Sequence, residues 1–317
     1  MPFVDLHCDT ISRILSLRRE GQSVSLGRGP GLDVDLDQLR RSGYLAQCFA
    51  LFVDLHSQAV QKTSPWEEVQ ALAACWQREL EENRDVLHPL LRAEDLTRAQ
   101  REGKLGALLT VEEGGVCQGS LKKLRQLHRL GVRLVTLTWN YENELGHPNG
   151  QAGGLTETGF AFVAEMERLH MLVDVSHLSD DGFWDLCRCA SRPFLASHSS
   201  CRALYPHRRN LSDEMIRAMA QRGGLVGVNF YAGFLTGGSR TPTQAILDHL
   251  RHVINVGGLE SAALGSDFDG IDTPLDLGAA GGMPQLVQAM ERAGFTPREI
   301  EAVCWRNAWR FLQEGLP

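Results

Sequence analysis

Along this chain, short apolar runs alternate with longer stretches whose apolar residues recur at helical spacing. The apolar runs are, in order, "FVDLH" (3–7), "LAQCFALFVD" (45–54), "LGALLTVEE" (105–113), "VRLVTLTWN" (132–140), "MLVDVSH" (171–177), "PFLASH" (193–198), "GLVGVNFY" (224–231) and "AALGSDFD" (262–269). Runs of this length bounded by turn residues predict strands buried on both faces. Between them, "SLKKLRQLHRLG" carries Leu121, Leu124, Leu127 and Leu130 on one helical face and stops at Gly131, a glycine helix stop. "TETGFAFVAEMERLH", "LSDEMIRAMAQRGG", "TPTQAILDHLRHVINVGG" and the closing "TPREIEAVCWRNAWRFLQEG" behave alike, the second with Ser212 as its N-cap.

A strand followed by a helix, eight times over, predicts an α/β architecture of the (β/α)8 TIM-barrel type. The competing open sheet would carry a glycine-rich turn after its first strand, and none is present. The 317 residues are 43% hydrophobic, enough for a sizeable core, and no linker divides them. A single barrel domain over 1–317 is therefore expected.

Charge and cysteine content narrow the setting. The net charge of −7 is spread without a Lys/Arg block, which argues against nucleic acid or an anionic membrane as partner. No secretory leader pattern and no run of about 18 apolar residues is found. The eight cysteines are scattered through apolar segments and fit neither a disulfide framework nor a zinc finger. They are expected to be small buried hydrophobes, in a protein of the cytoplasm.

Most informative is where the ionisable residues fall. His7 and Asp9 end the first run, Glu112 the third, His177 the fifth, His198 the sixth and Asp267 the eighth. In a barrel these ends converge on one face, where active sites of this architecture lie. One such histidine is ordinary; three histidines and three carboxylates in the same relative position point to a metal centre. Imidazole plus carboxylate without thiolate suits zinc. Six groups exceed what one tetrahedral ion uses, so two ions sharing a bridging carboxylate are expected.

With these residues assembled, the chain resembles the membrane (renal) dipeptidase family of zinc peptidases, within the amidohydrolase superfamily. The resemblance runs from "DLHCDT" to "RNAWRFL" and is carried by "LLTVEEGG", "LVDVSHLSD", "ASHSSCRALYPHRRN" and "LGSDFDG". It implies that His7, Asp9 and Glu112 hold one zinc and that Glu112, His177 and His198 hold the other, with Glu112 bridging. Glu113 is the rival bridge; the family spacing selects Glu112 and places Glu113 where the family has a glycine. Asp267 matches the proton-transferring aspartate. Asp269 shares its strand parity, so only the match selects Asp267. Arg209 matches the position that binds the dipeptide's C-terminal carboxylate, a task suited to a guanidinium fork.

One departure stands out. Where many members have a histidine in "TLTH" that helps stabilise the oxyanion, this chain has Trp139 in "TLTWNYENELG". Either Asn140, Asn143 or His147 is then expected to supply the donor, or the metal to do most of that work, and Asn140 and Tyr231 are the candidates for contacting substrate. The implied activity is hydrolysis of dipeptides, including those with a C-terminal D-residue, with a homodimer as the admissible assembly. Two alternatives stand beside it. One is another two-metal amidohydrolase, such as an N-acyl amino-acid deacylase or lactonase; the other is a barrel that binds metal without turnover. His170, His249 and His252 are expected on helix surfaces, and Trp66, Trp76, Trp184, Trp305 and Trp309 in packing between helices and barrel.

Overall fold

The computed structural model describes every residue except Arg28 and Pro30. Among the described residues lie nine strands: β1 (Phe3–Asp5), β2 (Tyr44–Phe52), β3 (Leu87–Pro89), β4 (Leu105–Glu112), β5 (Val132–Thr136), β6 (Leu172–Asp174), β7 (Leu195–Ala196), β8 (Leu225–Val228) and β9 (Ala262–Leu264). All pairings between them are parallel. Eight strands close a (β/α)8 barrel. β2 pairs with β4 from Ala46↔Gly106 to Phe52↔Glu112, and β9 returns to β1 through Asp5↔Leu264. The ninth, β3, was not expected. It lies beside the start of β4, from Leu87↔Leu105 to Pro89↔Ala107, before β5 takes over from Leu109. Three residues, "LHP", are too few to show a strand pattern.

The side-chain period of two explains how a hydrophobic barrel ends in a polar mouth. Leu108, Thr110 and Glu112 follow one another on one face of β4. Their neighbours on β5 are Leu134 and Thr136, and next to these on β6 come Leu172 and Asp174. The lower layer joins Leu195, Leu225, Val4 and Leu6 in one buried cluster, which Phe311 and Leu312 of the last helix complete. On β4 to β7, Thr110, Thr136, Asp174 and Ser197 follow two residues further on, and Glu112, His177 and His198 come after them. A second, larger cluster fills the space between strands and helices.

The strands are shorter than the apolar runs that predict them. The runs to Asn140, His177, Tyr231 and Asp269 leave the ladder at Thr136, Asp174, Val228 and Leu264. Beyond those points the backbone turns, with φ of 71° at His177, 65° at Asp267 and 64° at Asp269. Strand parity therefore says nothing about Asp267 and Asp269. Close approach of β7, β8 and β9 needs Gly265, where a Cβ would stand 1.8 Å from the Ser197 carbonyl oxygen.

Helices form where the spacing predicts them, at Leu121–Arg129, Glu157–Arg168, Asp213–Gln221 and Thr243–Gly257. Ser212 caps the third, accepting from the Met215 N–H. The closing segment is not one regular helix: a wide turn at Ala302–Arg306 separates Pro297–Glu301 from Asn307–Gly315. All eight cysteines are unpaired, and six of them are buried. Trp76 is buried against Phe49, ring centroids 5.2 Å apart, and Trp305 and Trp309 meet edge to face.

Two histidines depart from expectation. His170 lies beyond its helix, with φ 54°. His249 is buried, not on the surface. Its Nδ1 accepts the Cys201 N–H at 3.0 Å. The proton therefore sits on Nε2, which donates to the Leu235 carbonyl at 3.1 Å. This ties the loop after β7 to the helix Thr243–Gly257.

Burial lowers the pKa of His249, so the fold holds it neutral. The unfolded chain binds its proton as pH falls through about 6.5, and the stability His249 contributes is present above that pH and lost below it. His249→Leu is expected to cost about 1–3 kcal/mol at pH 8, because the Cys201 N–H is left unpaired. It should also flatten the loss of stability between pH 7 and 5, as read by urea denaturation.

Candidate metal centre

The barrel mouth gathers side chains that are far apart in sequence. β1 delivers His7 and Asp9 just past its end; the ladder continues there, since Cys8 N donates to the Cys48 carbonyl and Ala50 N to that of Cys8. Glu112 is the last residue of β4. His177 and His198 follow β6 and β7, and Asp267 follows β9. Three sets of ligand atoms converge, each within 4.8 Å of one another: His7, Asp9 and Glu112; Glu112, His177 and His198; and His7, His198 and Asp267. Glu112 lies between the histidines. Its Oε2 is 3.2 Å from His7 Nε2, and its Oε1 is 2.9 Å from His177 Nε2 and 3.4 Å from His198 Nε2.

Hydrogen bonds on the far side of each ring decide what these nitrogens offer. The Asn140 Oδ1 is an acceptor and sits 3.0 Å from His177 Nδ1, so that nitrogen carries the proton. Asp174 accepts the Ser197 hydroxyl at 2.6 Å, and Ser197 Oγ in turn accepts from His198 Nδ1 at 2.7 Å. Both Nε2 atoms therefore present bare lone pairs, yet they stand 2.9 Å apart with Glu112 Oε1 beside them. Burial holds both rings neutral, with pKa pushed down to about 3 for His177 and about 4 for His198. His7 Nε2 and Asp9 Oδ1 are buried and have no hydrogen-bond partner. Buried lone pairs facing one another at this distance are repulsive unless a cation lies between them. The donor set fits a metal.

Carboxylates that looked alike in the sequence separate here. Asp267 Oδ2 accepts from Asn229 Nδ2 at 2.8 Å, and its Oδ1 faces the cluster, 3.7 Å from His7 Nε2. Burial, with Asp9 and Glu112 nearby, pushes its pKa up to about 7, against the pull of His7. Asp269 turns away, binding Thr10 Oγ1 at 2.6 Å and the Asp33 N–H at 2.8 Å. Gly270 leaves room for both site aspartates: a Cβ would stand 2.2 Å from Asp9 Oδ2 and 2.7 Å from Asp267 Oδ1. Glu113 has φ 90°, the left-handed region that favours glycine. Its carboxylate points off the cluster and accepts from Trp139 N, Gly115 N and Asn143 Nδ2.

A cavity of about 570 Å³ opens over the cluster, lined by Asp9, Glu112, His177, Asp267, Trp139, Asn140 and Tyr231 among others. Asn143 and His147 are not part of its lining. Asn143 holds the loop around Glu113 and Leu145, and His147 binds the Gly154 carbonyl. Asn140 does face the cavity, but its oxygen orients His177. Arg209 is buried; its Nη atoms donate to the His198 carbonyl at 3.0 Å and Ser199 Oγ at 3.2 Å, while Nε has no partner. Sequence reasoning missed Asn229, Asp174 and Ser197. All three are polar residues at the ends of apolar runs, the signal that found the histidines.

Comparison with known proteins settles the lineage. The sequence profile of the membrane dipeptidase family, Peptidase family M19, matches residues 1–315. The chain belongs to this family. It is accordingly a metal-dependent dipeptidase. A dipeptidase of family M19, dipeptidase AC, superposes with a TM-score of 0.92 at 25% identity, covering 100% of this chain and 99% of that one. A metallopeptidase from Rhodobacter sphaeroides, solved with a phosphinate mimic of the dipeptide L-Ala-D-Ala, superposes with a TM-score of 0.91 at 26% identity and the same coverage. An uncharacterized dipeptidase of Schizosaccharomyces pombe is 37% identical over 229 residues, 69% of this chain and 55% of that protein. Among the described residues no helix is long and apolar enough to cross a membrane.

If the hydroxyl of Ser197 fixes the His198 tautomer, Ser197→Ala should weaken metal binding by about 10–100-fold while leaving the far-UV circular dichroism unchanged. Competition against a chromogenic chelator measures this, independently of turnover.

Proposed function

We propose that this dipeptidase works with two zinc ions, one held by His7, Asp9 and Glu112 and the other by Glu112, His177 and His198, with Glu112 as the bridge. The observation that carries this is the pair of bare imidazole nitrogens, His177 Nε2 and His198 Nε2, facing each other at 2.9 Å beside Glu112 Oε1. When bound, the metal pair supplies an acidified water and polarises the scissile carbonyl.

Each residue of the chain then has a task. Asp267, pinned by Asn229 at one oxygen, keeps Oδ1 free to take the proton of the attacking water and return it to the departing amine. Arg209 is a buried guanidinium with an unused N–H, and it holds the substrate's C-terminal carboxylate, so the peptide bond lies over the metal cluster. Asn140 acts first by orienting His177; its amide nitrogen is the group left to meet substrate. Tyr231 closes the cavity wall next to Phe234, with ring centroids 4.8 Å apart. A carboxylate clamp does not read the chirality of the residue it holds, which supports acceptance of a C-terminal D-residue, and the ligand of the Rhodobacter sphaeroides relative is of that kind. Unpaired cysteines, two of them outside the core, support work in a reducing cytoplasm. The whole chain acts as one catalytic barrel, singly or as a homodimer.

Asp267→Asn is expected to lower kcat at least about 100-fold with both metals retained, as measured by steady-state kinetics on L,D-dipeptides alongside metal analysis of the same sample. Near-full turnover in that variant would remove Asp267 from its role.

A further inference from the structure

Trp139 stands where many members of the family have a histidine. Its ring packs on Phe52, centroids 4.9 Å apart, and lies 6.1 Å from the ring of His177. Phe52 and Trp139 line the cavity over the metal cluster, and so do Leu15 of the first helix and Leu72 of the helix Pro65–Glu82. The same cavity is also lined by Ser12, Arg13, Ser16, Asp54 and Ser57 and by an ion pair. Arg19 donates to both carboxylate oxygens of Glu68, at 2.5 and 2.8 Å, and this bidentate pair joins the same two helices. Both residues line the cavity. Tyr231 and Phe234 line it as well, and Phe234 has the Arg209 guanidinium over its ring at 5.2 Å.

We infer that Leu15, Phe52, Leu72 and Trp139 form a subsite for a large apolar side chain on the dipeptide's N-terminal residue. The assignment to the N-terminal residue rests on the proposed role of Arg209. With the C-terminal carboxylate held there, behind Phe234 of the cavity wall, the substrate's other residue is the one left to meet Trp139, which lies beside His177. An apolar wall rewards buried carbon: each methylene removed from water is worth about 0.8 kcal/mol, roughly four-fold in binding at that conversion.

Two substrate series test this on the metal-loaded protein. In the first, X-D-Ala, X is Ala, Leu, Phe or Asp; in the second, L-Ala-X, the D-residue X varies in the same way. The expected result is a kcat/KM for Phe-D-Ala and Leu-D-Ala at least ten-fold above Ala-D-Ala, carried mainly by KM, with Asp-D-Ala poorest. No such preference should appear in the second series. Leu15→Ser and Trp139→Ala should each bring the Phe-to-Ala ratio down toward one, and the ratio is insensitive to how much of a variant folds. Hydrolysis with a flat or inverted first series would overturn the subsite, and a preference confined to the second series would overturn its assignment to the N-terminal residue. The role of Arg209 is read separately: dipeptide amides hydrolysed as fast as the free acids would remove that role. Absence of hydrolysis throughout both series would overturn the L,D-dipeptidase proposal and the subsite with it.

Discussion

Two neutral imidazoles cannot rest with bare nitrogens 2.9 Å apart, buried against a carboxylate, unless something positive sits between them. That electrostatic constraint organises the barrel mouth. It accounts for the polar ends of runs that are otherwise apolar and for the left-handed backbone at His177 and Asp267, where each residue costs about 1–3 kcal/mol of strain. It also accounts for Gly270, the one residue type that leaves space between two site aspartates. Without a cation, each of these features is a penalty with no return.

Holding the ligands in place falls to a layer of buried polar residues just below them. Asp174 accepts the backbone N–H and the hydroxyl of Ser197, at 2.9 and 2.6 Å. Asp5 accepts the same two groups of Ser266, at 2.8 and 2.6 Å. The two motifs sit where the barrel ladder is thinnest: β6 meets β7 at one residue pair, and β1 meets β9 at one. Side-chain carboxylates thus take over from missing ladder hydrogen bonds at the same level where they orient site residues. Ser197 leads directly to His198, and Ser266 immediately precedes Asp267. Closure of the barrel and alignment of the site are one piece of construction.

Much of this was legible in the sequence because barrel strands and site residues share one signal, an apolar run that ends in an ionisable group. That signal located all eight barrel strands and brought His7, Asp9, Glu112, His177, His198 and Asp267 to one place. It failed where the backbone departs from the strand. Asp267 and Asp269 have the same parity on paper, yet both follow β9 with positive φ, and only Asn229, contributed by a different strand end, shows which of them faces the cluster. Asn140 was expected as a donor to substrate; its oxygen is committed to His177, an orienting task that the sequence does not announce. His249 sits on an amphipathic helix and reads as surface; its burial depends on the loop after β7 folding over it, which no local pattern announces. The strand β3 is too short to leave a trace.

The most direct test of the account is anomalous diffraction at the zinc absorption edge from crystals of protein purified without chelator. The account predicts two peaks per chain a few ångströms apart, one among His7, Asp9 and Glu112 and one among Glu112, His177 and His198, with Glu112 between them. Well-ordered density for these side chains with no transition metal among them would contradict it.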